Sequence, residues 1–132
     1  MGIYVDPSFN EHGFLYSNSV FTTIDVPGAE STFPAGINNS GEIVGTWEQS
    51  PFNFHIFLFT NGTFSTVDLP SNFGASGIND SGQIVGSYSV QDTTGVHQHG
   101  YLATPVPEPT SLLLLTGGAA ALATLLWWRK LY

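Results

Sequence analysis

The sequence contains no cysteine and has two basic residues, and charged residues make up 9% of its 132 residues. Without cysteine, neither a disulfide framework nor a thiolate metal site is available. Both basic residues, Arg129 and Lys130, stand near the C-terminus, so everything before them carries acids without a compensating cation. Because nothing in that part could neutralise phosphate groups, nucleic acid is excluded as a partner.

The composition favours an all-β body. There are 15 glycines and 8 prolines, and aromatic residues make up 14% of the chain. Many Thr, Ser and Asn residues accompany them, and this combination is typical of short strands joined by tight turns. The length allows one small domain ahead of the C-terminal tail.

Three sequence motifs recur in one order. The His-x-Phe/Tyr-Leu motif occupies residues 12–16, 55–59 and 99–103; a Thr-Ile/Val-Asp-x-Pro motif occupies 21–27 and 64–70; and Gly-Ile-Asn-x-Ser-Gly-x-Ile-Val-Gly occupies 36–45 and 77–86. The copies are 41 to 44 residues apart, so residues 1–103 form an internal repeat of two to two and a half units of about 43 residues.

Each unit is predicted to contain four short strands. Asn61-Gly62 suits a type I′ hairpin turn, whereas Asn18-Ser19 predicts a looser one because Ser tolerates positive φ less well. Loops 38–41 and 79–82 have the residues of tight turns and lack the pattern of a calcium loop.

Adjacent apolar residues indicate that both faces of the sheets are covered. Successive side chains of a strand alternate, so the members of each pair point to opposite faces. The pairs are Ile43 and Val44, Phe57 and Leu58, and Ile84 and Val85. The predicted fold is mainly β, with repeated four-stranded antiparallel units that are propeller-blade-like but incomplete, followed by one C-terminal transmembrane α-helix.

The repeat motifs resemble the HAF repeat of bacterial extracellular proteins, and the resemblance covers nearly all of residues 2–103. The resemblance implies secretion and a propeller-like or stacked-sheet body, and it implies no catalytic or binding residues for this chain. Residues 2–4 align with 45–47 and 86–88, so the chain starts inside a strand of a unit. We expect it to be the C-terminal fragment of a longer repeat protein, and residues 1–10 do not form a signal peptide. Incomplete units would leave open sheet edges, through which the chain could self-associate.

The tail divides into a Pro-rich linker at 104–110, a transmembrane helix at 111–128 and a basic cytoplasmic end at 129–132. Residues 112–128 carry no charge, and as a helix they would span roughly 25 Å, the short end of what crosses a bilayer core. Seven leucines and two tryptophans make up the membrane anchor: Leu112, Leu113, Leu114, Leu115, Leu122, Leu125, Leu126, Trp127 and Trp128. The basic residues follow at once, which places the body outside the cytoplasm, with membrane lipid around the anchor.

The order of these parts resembles the PEP-CTERM sorting signal of Gram-negative bacteria. Its motif corresponds to Val106, Pro107, Glu108 and Pro109, and its terminal basic cluster to Arg129 and Lys130. The resemblance implies export, processing near Pro-Glu-Pro by the membrane transpeptidase exosortase, and release or attachment at the cell surface or in extracellular polysaccharide. The basic cluster is shorter than usual and is followed by two further residues.

No catalytic or cofactor motif is present, so we predict a non-enzymatic surface or matrix protein with no cofactor. His97 and His99 could share a strand face and bind metal, but His99 is also the repeat's His with a structural role. Asp25 and Asp68 occupy equivalent positions, which favours a structural role. Two alternatives stay open: the end of a propeller hydrolase or lyase, and a polysaccharide-binding module in which exposed aromatics such as Trp47, Tyr88 and Phe52 stack on sugars.

Overall fold

The computed structural model describes residues 1–70, 73–106 and 127–131, and within them every regular element is a β-strand. The strands are β1 (Gly2–Val5), β2 (Glu11–Ser17), β3 (Val20–Ile24), β4 (Ser31–Ile37), β5 (Ile43–Ser50), β6 (Asn53–Thr60), β7 (Thr63–Val67), β8 (Phe73–Ile78), β9 (Ile84–Asp92), β10 (Gly95–Val106) and β11 (Trp127–Leu131). The prediction of a mainly β body is confirmed.

The strands form three antiparallel sheets. Sheet 1 has the order β1-β2-β3, sheet 2 the order β4-β5-β6-β7, and sheet 3 the order β11-β10-β9-β8. The register repeats from sheet to sheet, because Gly2 pairs with Phe14, Gly45 with Phe57, and Gly86 with Tyr101. This confirms the alignment of residues 2–4 with the two later copies. Sheet 1 therefore contains counterparts of the last three strands of sheet 2.

The hairpin turns follow from Asn and Gly. Asn61 and Gly62 both have positive φ, at 50° and 79°, as a type I′ turn requires. Asn18 and Ser19 adopt 50° and 62°, so the first hairpin has the same kind of turn and the expected loosening is not observed. Both two-residue turns continue the twist of the strands that they join.

The apolar residues divide between two cores. Val44 and Leu58 belong to a cluster between sheets 2 and 3, whereas Ile43 and Phe57 belong to a cluster that includes Ile24 of sheet 1. The members of each adjacent pair thus face opposite ways and are both covered, as predicted. Sheet 2 is packed on both faces.

The same prediction is wrong for sheet 3. Ile84 is fully buried, but Val85 is 47% exposed. In the part of the chain that the structure describes, no further sheet packs on that face of sheet 3, so the side chain that repeats Val44 meets solvent. Ile84 and Val85 still point to opposite faces of sheet 3, as predicted, but only the face that carries Ile84 is covered by another sheet.

In each sheet, the strand that follows the recurring glycine carries an aromatic residue that packs over that glycine. A Cβ built on Gly45 would lie 2.6 Å from the ring of Phe57, and one built on Gly86 would lie 2.7 Å from Tyr101 Oη. Tyr101 is buried and donates a hydrogen bond to the carbonyl oxygen of Gly74 at 3.0 Å. Burial raises the pKa of its phenol. The recurring Gly therefore makes room for the ring of the neighbouring strand.

The two ends of the body are distinct. β10 finishes at Val106, beside the turns at 38–41, 61–62 and 79–82, and we call this the tail end. The loops at 6–10, 51–52 and 93–94 lie at the opposite, far end. The chain therefore leaves the body from one end while the β1–β2, β5–β6 and β9–β10 loops occupy the other.

Candidate sorting signal

The predicted signal starts where β10 ends. β10 runs for 12 residues from Gly95 to Val106, and Ala103 near its end is fully buried. Val106 is its last residue and also the first residue of the predicted motif. Pro107, Glu108 and Pro109 and the leucines of the predicted anchor lie outside the described residues.

The end of the tail pairs with β10. Residues Trp127–Leu131 form β11, in which Lys130 pairs with Ala103 and Arg129 with Thr104. β11 lies at the outer edge of sheet 3, where β7 lies in sheet 2 and β3 in sheet 1. A segment of the tail thus fills the fourth position of the sheet.

The structure differs from the sequence prediction at Trp127 and Trp128. The sequence places them at the end of a transmembrane helix, whereas the backbone here is extended and pairs with Val106 and Pro105. Two physical factors favour the strand, since Trp has high β propensity and the outer edge of β10 offers unpaired backbone groups. Within the described ranges, no helix has the length and apolar character needed to cross a membrane.

The predicted tight turns at the tail end are confirmed, and each is closed by an Asn. The Asn38 side chain accepts hydrogen bonds from the backbone N–H groups of Ser40 and Glu42 and donates one to the Glu42 carboxylate. Asn79 makes the same set with Ser81 and Gln83. The side-chain oxygens of Asn38 and Asn79 therefore accept hydrogen bonds from the backbone of their own loops.

The two loops also bond to each other. Asn38 Nδ2 donates to the carbonyl oxygen of Asn79 at 3.1 Å. The backbone N–H of Asn39 donates to Asp80 Oδ1 at 2.8 Å, and its side chain donates to Oδ2 at 2.7 Å. Equivalent loops of sheets 2 and 3 are therefore joined in register at the tail end.

The repeated histidines pack against aromatic rings. Each contacts the aromatic residue that stands two places after the recurring Gly of its own sheet. The pairs are Tyr4 and His12 with ring centroids 5.1 Å apart, Trp47 and His55 at 4.9 Å, and Tyr88 and His99 at 5.3 Å. Cross-strand ring contacts of this kind support the structural interpretation of the repeat's His. Sequence reasoning missed the pairing, although the recurring Gly-x-aromatic spacing was its signal.

His12 is held by two carboxylates. Its Nδ1 lies 2.8 Å from Asp25 Oδ2, and its Nε2 lies 3.0 Å from Asp6 Oδ2. The hydrogen bonds to Asp6 and Asp25 raise the pKa of His12. The hydrogen bond from His12 and that from the Asn10 backbone lower the pKa of Asp6 to about 2. Asp25 also accepts from the N–H of Gly13, which gives it the structural role predicted from its repeated position.

The other predicted site residues are dispersed. His97 contacts Thr94 and Asp92 at the tip of the β9–β10 hairpin, whereas His99 stacks on Tyr88. Among the described residues, no group of three or more His, Cys, Asp or Glu could hold a metal ion. Trp47 packs against the core next to sheet 1. Phe52 is 83% exposed at the far end with φ of 68°.

Residues 105–130 match the family model described as the PEP-CTERM protein-sorting motif. The match starts one residue before β10 ends and reaches into β11. No curated protein and no solved structure matches the chain. The sorting motif supports an exported protein that is targeted to exosortase, and it implies secretion with transient anchoring at the membrane.

Proposed function

We propose that the chain is a non-enzymatic protein of the cell surface or extracellular matrix, and that exosortase processes its tail. The observation that carries this proposal is the sorting motif at residues 105–130, which begins at the end of the last strand of the β body. A processing site placed directly after β10 can be cut without breaking sheets 1 and 2. β11 lies beyond that site, so cleavage would remove it from the edge of sheet 3 and release the rest of the body.

In this proposal each part of the tail has its own role. Pro107, Glu108 and Pro109 are the recognised motif, residues 111–128 are the temporary membrane anchor, and the basic end at 129–132 stops transfer. The body before them lies outside the cytoplasm. Its composition suits that place, because residues 1–106 carry no Lys or Arg, the residues that are enriched on the cytoplasmic side of a membrane anchor.

The body itself is proposed to be part of a propeller-like stack of HAF-type repeats. Support comes from the shared register of the three sheets and from the loops that join sheets 2 and 3. The outer faces expose apolar side chains, among them Val85 on sheet 3 and Phe21 on sheet 1. Such faces favour association with further repeats or with a second copy.

The test is expression of the full chain in a Gram-negative host that encodes an exosortase. For this experiment a secretory signal peptide is added before Met1, and an epitope is inserted between Thr93 and Thr94 at the exposed far end. We expect the tagged body at the surface or in the medium, shortened at its C-terminus by mass spectrometry. Glu108→Ala should leave it full-length in the membrane, whereas Glu30→Ala, an exposed Glu outside the motif, should not.

A host lacking exosortase provides the control for other proteases. The wild-type chain should stay full-length and membrane-bound there. The proposal fails if shortening occurs equally with and without exosortase, or if Glu108→Ala is processed like the wild type. Glycosidase and lyase assays on the released body test its non-enzymatic character separately.

A polysaccharide-binding module is the second candidate. The observation that favours it is a cleft between sheets 2 and 3 at the far end, which is lined by the aromatic residues Phe54, Phe73 and Tyr88. Binding assays on the purified chain examine it independently of sorting.

A further inference from the structure

The two buried clusters between the sheets have the same polarity. In the cluster between sheets 1 and 2, sheet 1 supplies aliphatic side chains and sheet 2 supplies the aromatic rings. Those rings are Trp47, Phe57, Phe59 and Phe64. In the cluster between sheets 2 and 3, sheet 2 supplies aliphatic side chains, and the rings of Phe73, Tyr88 and Tyr101 come from sheet 3. Each interface therefore joins an aromatic face of the later sheet to an aliphatic face of the earlier one.

Sheet 1 has an open aromatic face. Its rings are Phe14, Tyr16 and Phe21, which stand 43 residues before Phe57, Phe59 and Phe64. They alternate along β2 and β3 with Leu15 and Ile24, which face sheet 2. Tyr16 is 52% exposed and Phe21 is 70% exposed. The face that sheet 2 buries against its neighbour therefore has an uncovered counterpart on sheet 1.

The rings of this aromatic face already have the arrangement of the buried set. The ring centroids of Phe14 and Phe21 lie 5.5 Å apart, and those of their counterparts in sheet 2 lie 5.6 Å apart. The centroids of Tyr16 and Phe21 lie 4.5 Å apart, against 4.7 Å for the counterparts. The aromatic face of sheet 1 thus needs no rearrangement to pack as sheet 2 does.

The open face of sheet 3 is aliphatic. Val85 and Leu102 lie opposite each other on β9 and β10, and Leu102 follows the core residue Tyr101, so it points away from the core. On the same face, Ser87 pairs with Gly100, and both are small. Sheet 3 therefore presents the kind of surface on which the rings of a following sheet pack.

We propose that the aromatic face of sheet 1 in one copy of the chain packs on the aliphatic face of sheet 3 in a second copy. This contact continues the series of interfaces within the chain, and it deepens the repeat stack proposed above. Both described interfaces join an aromatic face to an aliphatic one, which favours head-to-tail pairing over pairing of two like faces. Such a heterologous contact closes into a ring or extends as a filament, depending on the rotation between copies.

The two faces carry little charge. The aromatic face has one basic or acidic residue, His12, at its strand positions, and β8, β9 and β10 place none on the aliphatic face. The net charge of the chain is −8, so two copies repel each other at long range and salt screens this repulsion. Association through these faces should therefore strengthen as salt is raised, whereas association through ion pairs would weaken.

The size of the aromatic face sets the expected strength. Its three strands contain four to seven residues each. Strands about 4.8 Å apart, with about five residues facing the partner sheet along each, give a face of roughly 14 by 17 Å. Stable complexes bury about 800 Å² on each partner, so a face of this size supports association in the micromolar range rather than a permanent dimer.

The first test is sedimentation equilibrium of the purified full chain in density-matched detergent micelles, across the micromolar range. We expect the average protein mass to rise with concentration above that of a monomer. The rise should be larger in about 500 mM than in about 50 mM NaCl, because the long-range repulsion is then screened.

The second test is cross-linking, which reports the polarity of the contact. The chain has no cysteine, so each introduced thiol marks one position. Thr23→Cys marks the aromatic face beside Phe14, and Ser87→Cys marks the aliphatic face; both positions are exposed. A bismaleimide with a spacer of about 10 Å matches the distance between packed sheets. We expect dimers when the two variants are mixed and none when either is treated alone.

Substitutions on each face test its contribution. Phe21→Thr removes an exposed ring, and Val85→Glu places a charge on the aliphatic face. Each should weaken association at least tenfold while the thermal midpoint stays near that of the wild type. The matched controls are Phe52→Asn, which removes an exposed ring from a far-end loop, and Val90→Glu, which places a charge on the other face of β9. Both controls should associate like the wild type.

Three results would overturn the proposal. The first is a mass that does not change with concentration. The second is cross-linking of either single variant to the extent seen in the mixture, because that indicates a symmetric contact or pairing through the tail. The third is unchanged association in the folded Phe21→Thr and Val85→Glu variants. If Phe21→Thr fails to fold, Val85→Glu and the cross-linking decide. Sorting is measured by C-terminal shortening, so its failure and the failure of this contact are told apart.

Discussion

Asn38 and Asn79 form a matched pair in which one local set of hydrogen bonds occurs in two surroundings. Each side chain closes its own turn with two bonds from backbone N–H groups and one to the side chain four residues on. Asn38 is buried and makes a further bond to the carbonyl oxygen of Asn79, whereas Asn79 is exposed. Replacing each by Ala therefore separates the effect of the turn from that of the contact between sheets.

The magnitudes follow from the number of bonds and their burial. A hydrogen bond contributes about 1 kcal/mol net, and less where water can replace it. We expect Asn79→Ala to cost about 1 kcal/mol and Asn38→Ala about 3 kcal/mol of the free energy of unfolding. The difference of about 2 kcal/mol corresponds to a melting temperature lower by about 10 °C in a domain of this size.

The assay is urea unfolding of the full chain, followed by circular dichroism and repeated as a thermal melt. Ser40→Ala is the control, since its hydroxyl makes no hydrogen bond among the described residues, and its stability should stay within about 0.5 kcal/mol of wild type. If Asn79→Ala destabilised the chain as much as Asn38→Ala, the hydrogen bond from Asn38 to the Asn79 carbonyl oxygen would contribute nothing to stability. The role of Asn38 in joining sheets 2 and 3 would then be refuted.

Three further changes test other features by the same unfolding assay. Asp6 and Asp25 raise the pKa of His12, so their bonds to His12 should stabilise the fold fully below about pH 6.5, and this stabilisation should be lost as pH rises through the raised pKa. His12→Gln should abolish this pH dependence of the free energy of unfolding between pH 5 and 9. Gly45→Ala should cost about 1–3 kcal/mol, because the added Cβ would clash with the Phe33 carbonyl oxygen and with the Phe57 ring. Adding Phe57→Leu should recover only the part that is due to the ring. Phe52→Gly should stabilise by roughly 0.5 kcal/mol, because a left-handed, exposed Phe is relieved of its Cβ contacts; a loss of stability would contradict this.

Properties that depend on neighbouring residues were predictable from the sequence. Ile43 and Val44 face opposite cores because alternation along a strand is local, and Asn61-Gly62 forms the turn that its residue types favour. The repeat also aligned Gly2 correctly with Gly45. In each case the determining interaction lies within a few residues of the motif.

Properties that depend on distant partners were not predictable in the same way. Val44 is fully buried and Val85 is 47% exposed although both stand in an Ile-Val-Gly triplet, because the difference lies in whether another sheet covers them. Asp6, which lies outside every repeat motif, became a partner of His12 through the fold.

The candidate sites divide in the same way. The sorting motif is linear and could be recognised from residues 106–109 and the basic end. The cleft between sheets 2 and 3 depends on Phe54 of one sheet lying near Phe73 and Tyr88 of the other, and residues from separate units meet there only through the fold.

The pairing of β11 with β10 has a consequence for the edge of sheet 3. A hydrocarbon core of about 30 Å would separate Lys130 from Ala103 if residues 111–128 crossed a membrane, yet here the two residues lie opposite each other on paired strands. One segment cannot occupy both places. Insertion of the tail into the bilayer would therefore separate β11 from β10. The outer edge of β10 would then expose unpaired backbone N–H and C=O groups that can pair with a strand of another chain.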